Sequence, residues 1–367
     1  MVEGLDTPSQ GLVGKDAVEV MVAAGVTEYS SPALALSGAC PAPEDSADAG
    51  VPWHYGDPHA EQRRLLEGVG AVDLSHRAVI HVAGPDRLSW LHTITTQHLS
   101  DLPAGQSTTA LVLSPHGHVE QELHLVDDGE ASWLIVEAAA VPALLAYLQS
   151  MRFMLRVEVT DVTGDWAVVG EPALPGAAPE LAWGSPSQFA DPAGADDVTM
   201  GYVPHRPASW AVRETLVPRP ELSVRLAANG PPAGTWAWEA NRVAAAAPRL
   251  GYETDHRTIP HEVGWVPAAV HLQKGCYRGQ ETVARVHNLG RPPRRLVLLH
   301  LDGSDDRDPV SGDAVELEGR AVGRVTSVAR HHELGPIALA VVKRSVPADA
   351  TLTAGGVAAA QEIVVAP

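Results

Sequence analysis

The chain has 367 residues and carries 45 acidic against 26 basic side chains, a formal net charge of −19. That length exceeds what one hydrophobic core holds, so two or three domains are expected. The acidic balance argues against a broad grip on nucleic acid or anionic membranes. No run of 18 or more apolar residues offers a membrane span, and the acidic N-terminus lacks the basic-then-apolar pattern of a signal peptide. Two cysteines in unlike contexts, Cys40 and Cys276, give no disulfide framework, which fits a reducing cytoplasm.

Residues 1–49 are small, polar and acidic and read as a loosely ordered extension, with a helical stretch at 17–24 and Cys40 as an incidental exposed thiol. A first α+β domain is expected over 50–165. Its pattern gives a helix at 59–69, a strand at 78–82, and a helix to about 98 opened by Gly84-Pro85-Asp86. A hairpin at 109–114 and 119–126 turns through Pro115-His116-Gly117-His118. A strand at 132–136, a helix at 141–151 and strands at 155–162 and 166–169 follow. A second α+β domain is expected over 166–292. It holds a Pro-, Ala- and Gly-rich loop at 171–197, a strand at 210–218, and a helix of small residues at 235–247 that stops at Pro248. From 293 the pattern becomes short strands at 296–301, 314–317, 321–328 and 337–342 between tight turns, a small and partly closed β-barrel. Helices on antiparallel or mixed sheet with an appended barrel define an α+β class.

The most distinctive stretch is Lys274-Gly275-Cys276-Tyr277-Arg278-Gly279-Gln280-Glu281. Two glycines bracket the cysteine and suggest a turn that presents the thiol. Lys274 and Arg278 flank it, and cations at that spacing stabilise a thiolate. A helix is expected over 280–288, ending at Gly290, so the thiol lies just ahead of a helix N-terminus. The competing interpretation is a buried, inert cysteine in a glycine-rich turn. His256, His261, Glu262, His271, Cys276 and His287 are dense here, but their spacings match no closed zinc pattern, so no stable metal site is expected.

This octapeptide, preceded by Ile259-Pro260-His261-Glu262, resembles the signature of the YgfZ folate-binding family, bacterial relatives of mitochondrial iron–sulfur assembly factors. Leu113-Ser114-Pro115-x-Gly117, Val322-Gly323-Arg324-Val325-Thr326-Ser327 and Gly335-Pro336-Ile337-Ala338 extend the resemblance more weakly over residues 52–345. That family shares its fold with the T-protein of the glycine cleavage system, an aminomethyltransferase that uses tetrahydrofolate. The resemblance implies three domains in a ring around a channel that holds the folate. It implies a role in assembly or repair of iron–sulfur enzymes, with those enzymes or assembly proteins as partners, and carries a tRNA-modification label that the acidic charge disfavours as direct binding. Cys276 is then the reactive centre, tuned by Lys274 and Arg278. Arg242 becomes a candidate for the folate glutamate tail, Glu262 and Glu137 for the pterin, and Tyr277, Gln280, Glu281 and His98 for the cofactor surroundings. An ordinary ion pair with Glu239 is the alternative for Arg242, and a solvated carboxylate for Glu137. His98 stands where the T-protein has an aspartate. A neutral imidazole cannot supply that fixed charge, which weighs against the other expectation, a folate-dependent aminomethyl or methyl transferase.

Overall fold

A computed structural model describes residues 29–173, 181–186, 211–266, 268–304 and 307–366. The expected helix at 17–24 and most of the expected loop at 171–197 lie outside them. The chain opens with β1 (Cys40–Pro41) and β2 (Pro52–His54), then α1 (Pro58–Leu66), where the Asp57 side chain accepts from the Ala60 N–H and Pro58 occupies the first turn. Next come β3 (Val72–Asp73), β4 (Ala78–Ala83), α2 (Arg87–Ile94), β5 (Ser107–Leu113), β6 (Val119–Asp127), β7 (Ala131–Val136), α3 (Val141–Arg152) and β8 (Glu158–Asp161). Strands β9 (Trp166–Pro172), β10 (Ala182–Gly184) and β11 (Val212–Pro218) precede α4 (Leu222–Leu226), α5 (Thr235–Ala244) and α6 (Gln280–Leu289). The chain finishes with β12 (Arg294–Leu301), β13 (Ala314–Leu317), β14 (Arg320–His331), β15 (Gly335–Lys343), β16 (Thr351–Ala354) and β17 (Val357–Ile363).

Strands β5, β6, β7, β4 and β8, in that order, form a five-stranded antiparallel sheet. The period of two splits its apolar residues between two cores. Ile80, Val82, Leu123, Leu125 and Leu134 pack with Trp90, Leu91, Ile94, Leu144 and Leu148 of α2 and α3. Val79, Trp133 and Ile135 turn the other way, into a core shared with Val168, Trp238, Leu296 and Leu339. A four-stranded antiparallel sheet runs β10-β11-β9-β3. Helix α5 is buried almost all round, and its Ala237, Ala240 and Ala244 let β14 and α1 approach closely.

The barrel is closed by six strands, β12-β15-β14-β13-β16-β17, with β17 returning to β12. Sequence pattern supplied four of them. The missed pair, β16 and β17, is built largely of Thr and Ala, whose alternation carries little apolar contrast. Residues 29–49 correct the expected extension. Tyr29 Oη and Ser75 Oγ hydrogen-bond at 2.7 Å, Ser31 Oγ donates to Asp73, and Asp48 is buried against His76 and Arg249. A polar, proline-rich stretch still docks when buried partners satisfy its few polar side chains. The expected helix to 98 ends at Ile94, because the Thr95 hydroxyl bonds back to the Leu91 carbonyl and the chain turns extended.

Candidate functional site

The two sheets and the segment after α5 border a small, partly open pocket. Thr109, Glu122 and His124 line it from β5 and β6, Trp183 and Glu214 from β10 and β11, Trp238 and Arg242 from α5. Arg77, Glu137, Arg249 and Trp265 complete the wall. Each carboxylate reaches it because strand alternation puts polar residues on one face of a strand whose other face is core.

The charges are paired with little left over. Arg77 bonds Glu214, and Arg249 holds Glu137 through two bonds of 2.8 and 2.9 Å while reaching Asp48 at 2.9 Å. Burial alone would raise the carboxyl pKa of Glu137, but Arg249 and Arg77 outweigh it and push it down to about 2. Glu214 is likewise pushed down to about 2, by Arg77 and His124 against its burial. His124 donates or accepts through Nδ1 at 2.8 Å from Glu214 and lies flat on Trp183, ring centroids 3.6 Å apart. Burial disfavours its imidazolium, yet Glu214 and Glu122 lift its pKa to about 9.

Two groups on this wall are held less tightly than the rest. Arg77 Nε is buried, 3.9 Å from Glu137 Oε1, and has no hydrogen-bond partner among the described residues. Glu122 accepts from the Leu250 N–H at 3.2 Å and pairs with His124 Nε2 at 3.5 Å, and, among the described residues, it is the lining carboxylate with no arginine on it. A buried donor and a carboxylate free of arginine, beside indole rings, are the polar groups this pocket offers a ligand.

The expected ligands are distributed differently. Arg242 lines the cavity, but all five of its N–H groups are engaged: Nε and Nη2 with Glu239, Nη1 with the Ala247 carbonyl and Glu253, and Nη2 with Ser327 Oγ. It has no donor to offer a glutamate tail and instead ties α5 to β14. Glu137 is at the cavity but is clamped by Arg249, so it is neither solvated nor available to a pterin. Glu262 is outside the cavity, capping its own turn at the Ile259 N–H and paired with Arg294. His98 is on the surface, 2.7 Å from Asp101, with the rings of His92 and His271 4.8 and 5.2 Å away. Tyr277 is core, packed with Leu111, Val119, Trp265 and Val283. Gln280 and Glu281 form the first turn of α6, which begins at Gly279.

The octapeptide is a loop of mixed roles. Lys274 is buried and its ammonium binds the carbonyls of His92, Thr95 and Gln97, capping the C-terminal end of α2. Burial lowers its pKa to about 8. Arg278 pairs with Glu120 at 3.1 Å and lies 5.5 Å over the Tyr147 ring. Both cations therefore have partners other than the thiol, which removes the expected tuning of Cys276 by Lys274. Gly279 has φ +82°, and a Cβ there would sit 2.6 Å from the Ser114 carbonyl oxygen. The loop is thus pressed onto the 114–117 hairpin turn. Cys276 itself is exposed and does not line the cavity. Glu120, Glu122 and His124 share one face of β6, roughly 7 Å per pair, so the loop borders the cavity one strand repeat from Glu122. Among the described residues, no His, Cys, Asp and Glu group has metal-binding geometry. No helix among them is long and apolar enough to cross a membrane.

An antiparallel α+β assembly with a closed six-stranded barrel defines the fold class. Comparison with known proteins makes the assignment narrower. Residues 44–170 match the GCVT N-terminal domain and residues 294–365 the glycine cleavage T-protein C-terminal barrel domain. An aminomethyltransferase of Thermus thermophilus is 30% identical over 292 residues, covering 76% of this chain and 80% of that protein. A chloroplastic protein of Arabidopsis thaliana, named only as a transferase, is 27% identical over 282 residues, 71% of this chain and 62% of its own length. The glycine cleavage system aminomethyltransferase T of Bartonella henselae superimposes with a TM-score of 0.67 at 21% identity, covering 88% of this chain and 92% of that one. The chain belongs to the glycine cleavage T-protein family. Cavity residues Arg77, Glu122, His124, Trp183, Glu214 and Arg249 were not among the expected ligands. The one signal for them was charge at alternate positions of otherwise apolar strands, as in Glu122-Leu123-His124-Leu125.

Proposed function

We propose that this chain is a tetrahydrofolate-binding protein of the YgfZ type that supports iron–sulfur enzymes through Cys276. The observation behind this is a separation: an exposed thiol on a firmly seated loop, outside a pocket lined by polar and aromatic groups. In the cavity, Glu122 would take the pterin N–H edge, Arg77 Nε an acceptor on the ring, and Trp183, Trp238 and Trp265 the apolar faces. Bound tetrahydrofolate supplies a one-carbon-accepting nitrogen. The protein's own part is to orient the ring, keep the site dry and hold His124 charged beside Glu214.

A second reading, folate-dependent aminomethyl transfer, is favoured by the relatives, which are named aminomethyltransferases at 27–30% identity. Against it stands His98, exposed and paired with Asp101, where that chemistry has a carboxylate. A positioned proton-transfer group is worth on the order of a hundred- to ten-thousand-fold. The deciding experiment runs both assays. Calorimetry should find equal tetrahydrofolate binding in the wild type and Cys276→Ala, glycine-cleavage turnover should be negligible, and iron–sulfur enzyme activity should fall in a Cys276→Ala strain. Robust turnover with undiminished iron–sulfur activity in that strain would establish the transferase instead.

A further inference from the structure

The corner after α3 is unusual for a folded surface. Residues 151–156, Met-Arg-Phe-Met-Leu-Arg, are all exposed, with Phe153 at 90% and Met154 at 89%. Four of the six are apolar and both charges are positive, on a chain whose net charge is −19. Phe153 adopts φ 47°, a left-handed conformation that a bulky aromatic residue rarely takes. The corner is not frayed: Trp90 Nε1 donates to the Met151 carbonyl, and Asp86 accepts from the Arg156 backbone and side chain. A fixed, strained, solvent-facing apolar tip is the signature of a contact surface.

The tip is continuous with the thiol loop. Tyr147 and Met151 are four apart on α3 and so share a face. Arg278, two residues from Cys276, lies over the Tyr147 ring, while the Tyr147 hydroxyl and the Lys274 ammonium cap neighbouring carbonyls at the end of α2. The same helix end anchors both the loop and α3, so the two move as one body.

We propose that the 151–155 corner and the Cys276 loop form one docking surface for a protein partner, whose apolar pocket takes Phe153 and Met154 and whose carboxylates face Arg152. The charge of the tip selects an acidic rim, and the thiol at the other end identifies the partner as the protein on which Cys276 acts. This rests on the thiol reading given above, but its test is separable.

The test places p-benzoylphenylalanine at position 154 in the full chain and irradiates in cells. One protein should be captured there, and the same protein should be captured by a thiol crosslinker at Cys276. Phe153→Ser should abolish capture at Cys276, and Arg152→Glu should reduce it about tenfold. Both variants should keep tetrahydrofolate affinity, melting temperature and the iodoacetamide rate at Cys276. Different proteins at the two positions, or capture indifferent to Phe153→Ser and Arg152→Glu, would overturn the proposal. So would sedimentation with phosphatidylglycerol vesicles lost in Phe153→Ser, which assigns the tip to a membrane, or a dimer abolished by that change, which assigns it to a second copy. If Cys276→Ala leaves iron–sulfur enzymes unaffected while the shared capture persists, the client reading fails and the docking surface stands.

Discussion

The cavity and the Cys276 loop border each other along one face of β6, yet they are built on opposite principles. In the cavity, buried charges neutralise one another so completely that Arg242 has nothing left for a ligand, and Arg249 is tied to Asp48, Glu137 and Glu239. The least engaged groups there are Arg77 Nε, 3.9 Å from Glu137, and Glu122, 3.5 Å from His124. In the loop, the charges are spent on scaffolding, Lys274 on helix carbonyls and Arg278 on Glu120, and the one conspicuous exposed group is a thiol. Proximity to a functional site is therefore a poor guide to role. The number of hydrogen-bonding positions still open on each residue is a better one.

That contrast can be broken most severely at Arg242. If it is scaffolding, Arg242→Ala strands Glu239 and Glu253 in the interior and should cost about 3–5 kcal/mol of stability, read by urea denaturation. A stable variant with selectively lost tetrahydrofolate affinity would return Arg242 to the ligand set. Glu122→Gln should weaken tetrahydrofolate binding by about 1.5–3 kcal/mol, the worth of a charged hydrogen bond. Calorimetry showing full affinity would move the pterin edge elsewhere.

The loop is sharpened by a pair of substitutions. Gly279→Ala forces a side chain into the Ser114 carbonyl from a left-handed backbone and should cost about 1–3 kcal/mol, whereas Gly275→Ala meets nothing within 4 Å. Equal melting temperatures for the two would mean that the loop is not seated on the hairpin.

Acid and alkali probe the cavity's charges in opposite directions. His124, at about 9 when folded and ~6.5 when unfolded, stabilises the protein fully below about 6.5. That stability is lost as the pH rises through about 9. Glu137 and Glu214, both at about 2, stabilise above the unfolded value of ~4.3 and lose that contribution as the pH falls toward about 2. Denaturation midpoints against pH should show both limbs, and His124→Asn should flatten the alkaline one and shrink the Glu214 share of the acid one. A slope unchanged in that variant would remove His124 from the charged network. The smallest effect belongs to Cys276→Ala, which should shift stability by less than about 0.5 kcal/mol; a large drop in melting temperature would make the thiol structural.

The α+β class, most helices and strands, and the start of the barrel were legible in the sequence because each rests on local periodicity. Helix α3, hairpin β5–β6 and α6 lie within a few residues of their expected bounds. The exposure of Cys276 was legible too, from its flanking glycines. The docking of residues 29–49 was not, since it depends on Asp48 meeting Arg249 some two hundred residues away.

By itself, then, the sequence determined the elements, the acidic surface and the presence of a distinctive cysteine loop, because spacing and composition act over a few residues. Only the tertiary structure decided which charged residues are spent and which remain available. Nothing local in the chain separates Arg242 and Glu137 from Arg77 and Glu122. Their roles part when β6, β11 and α5 converge, since a guanidinium has five donors and only folding determines how many acceptors reach them.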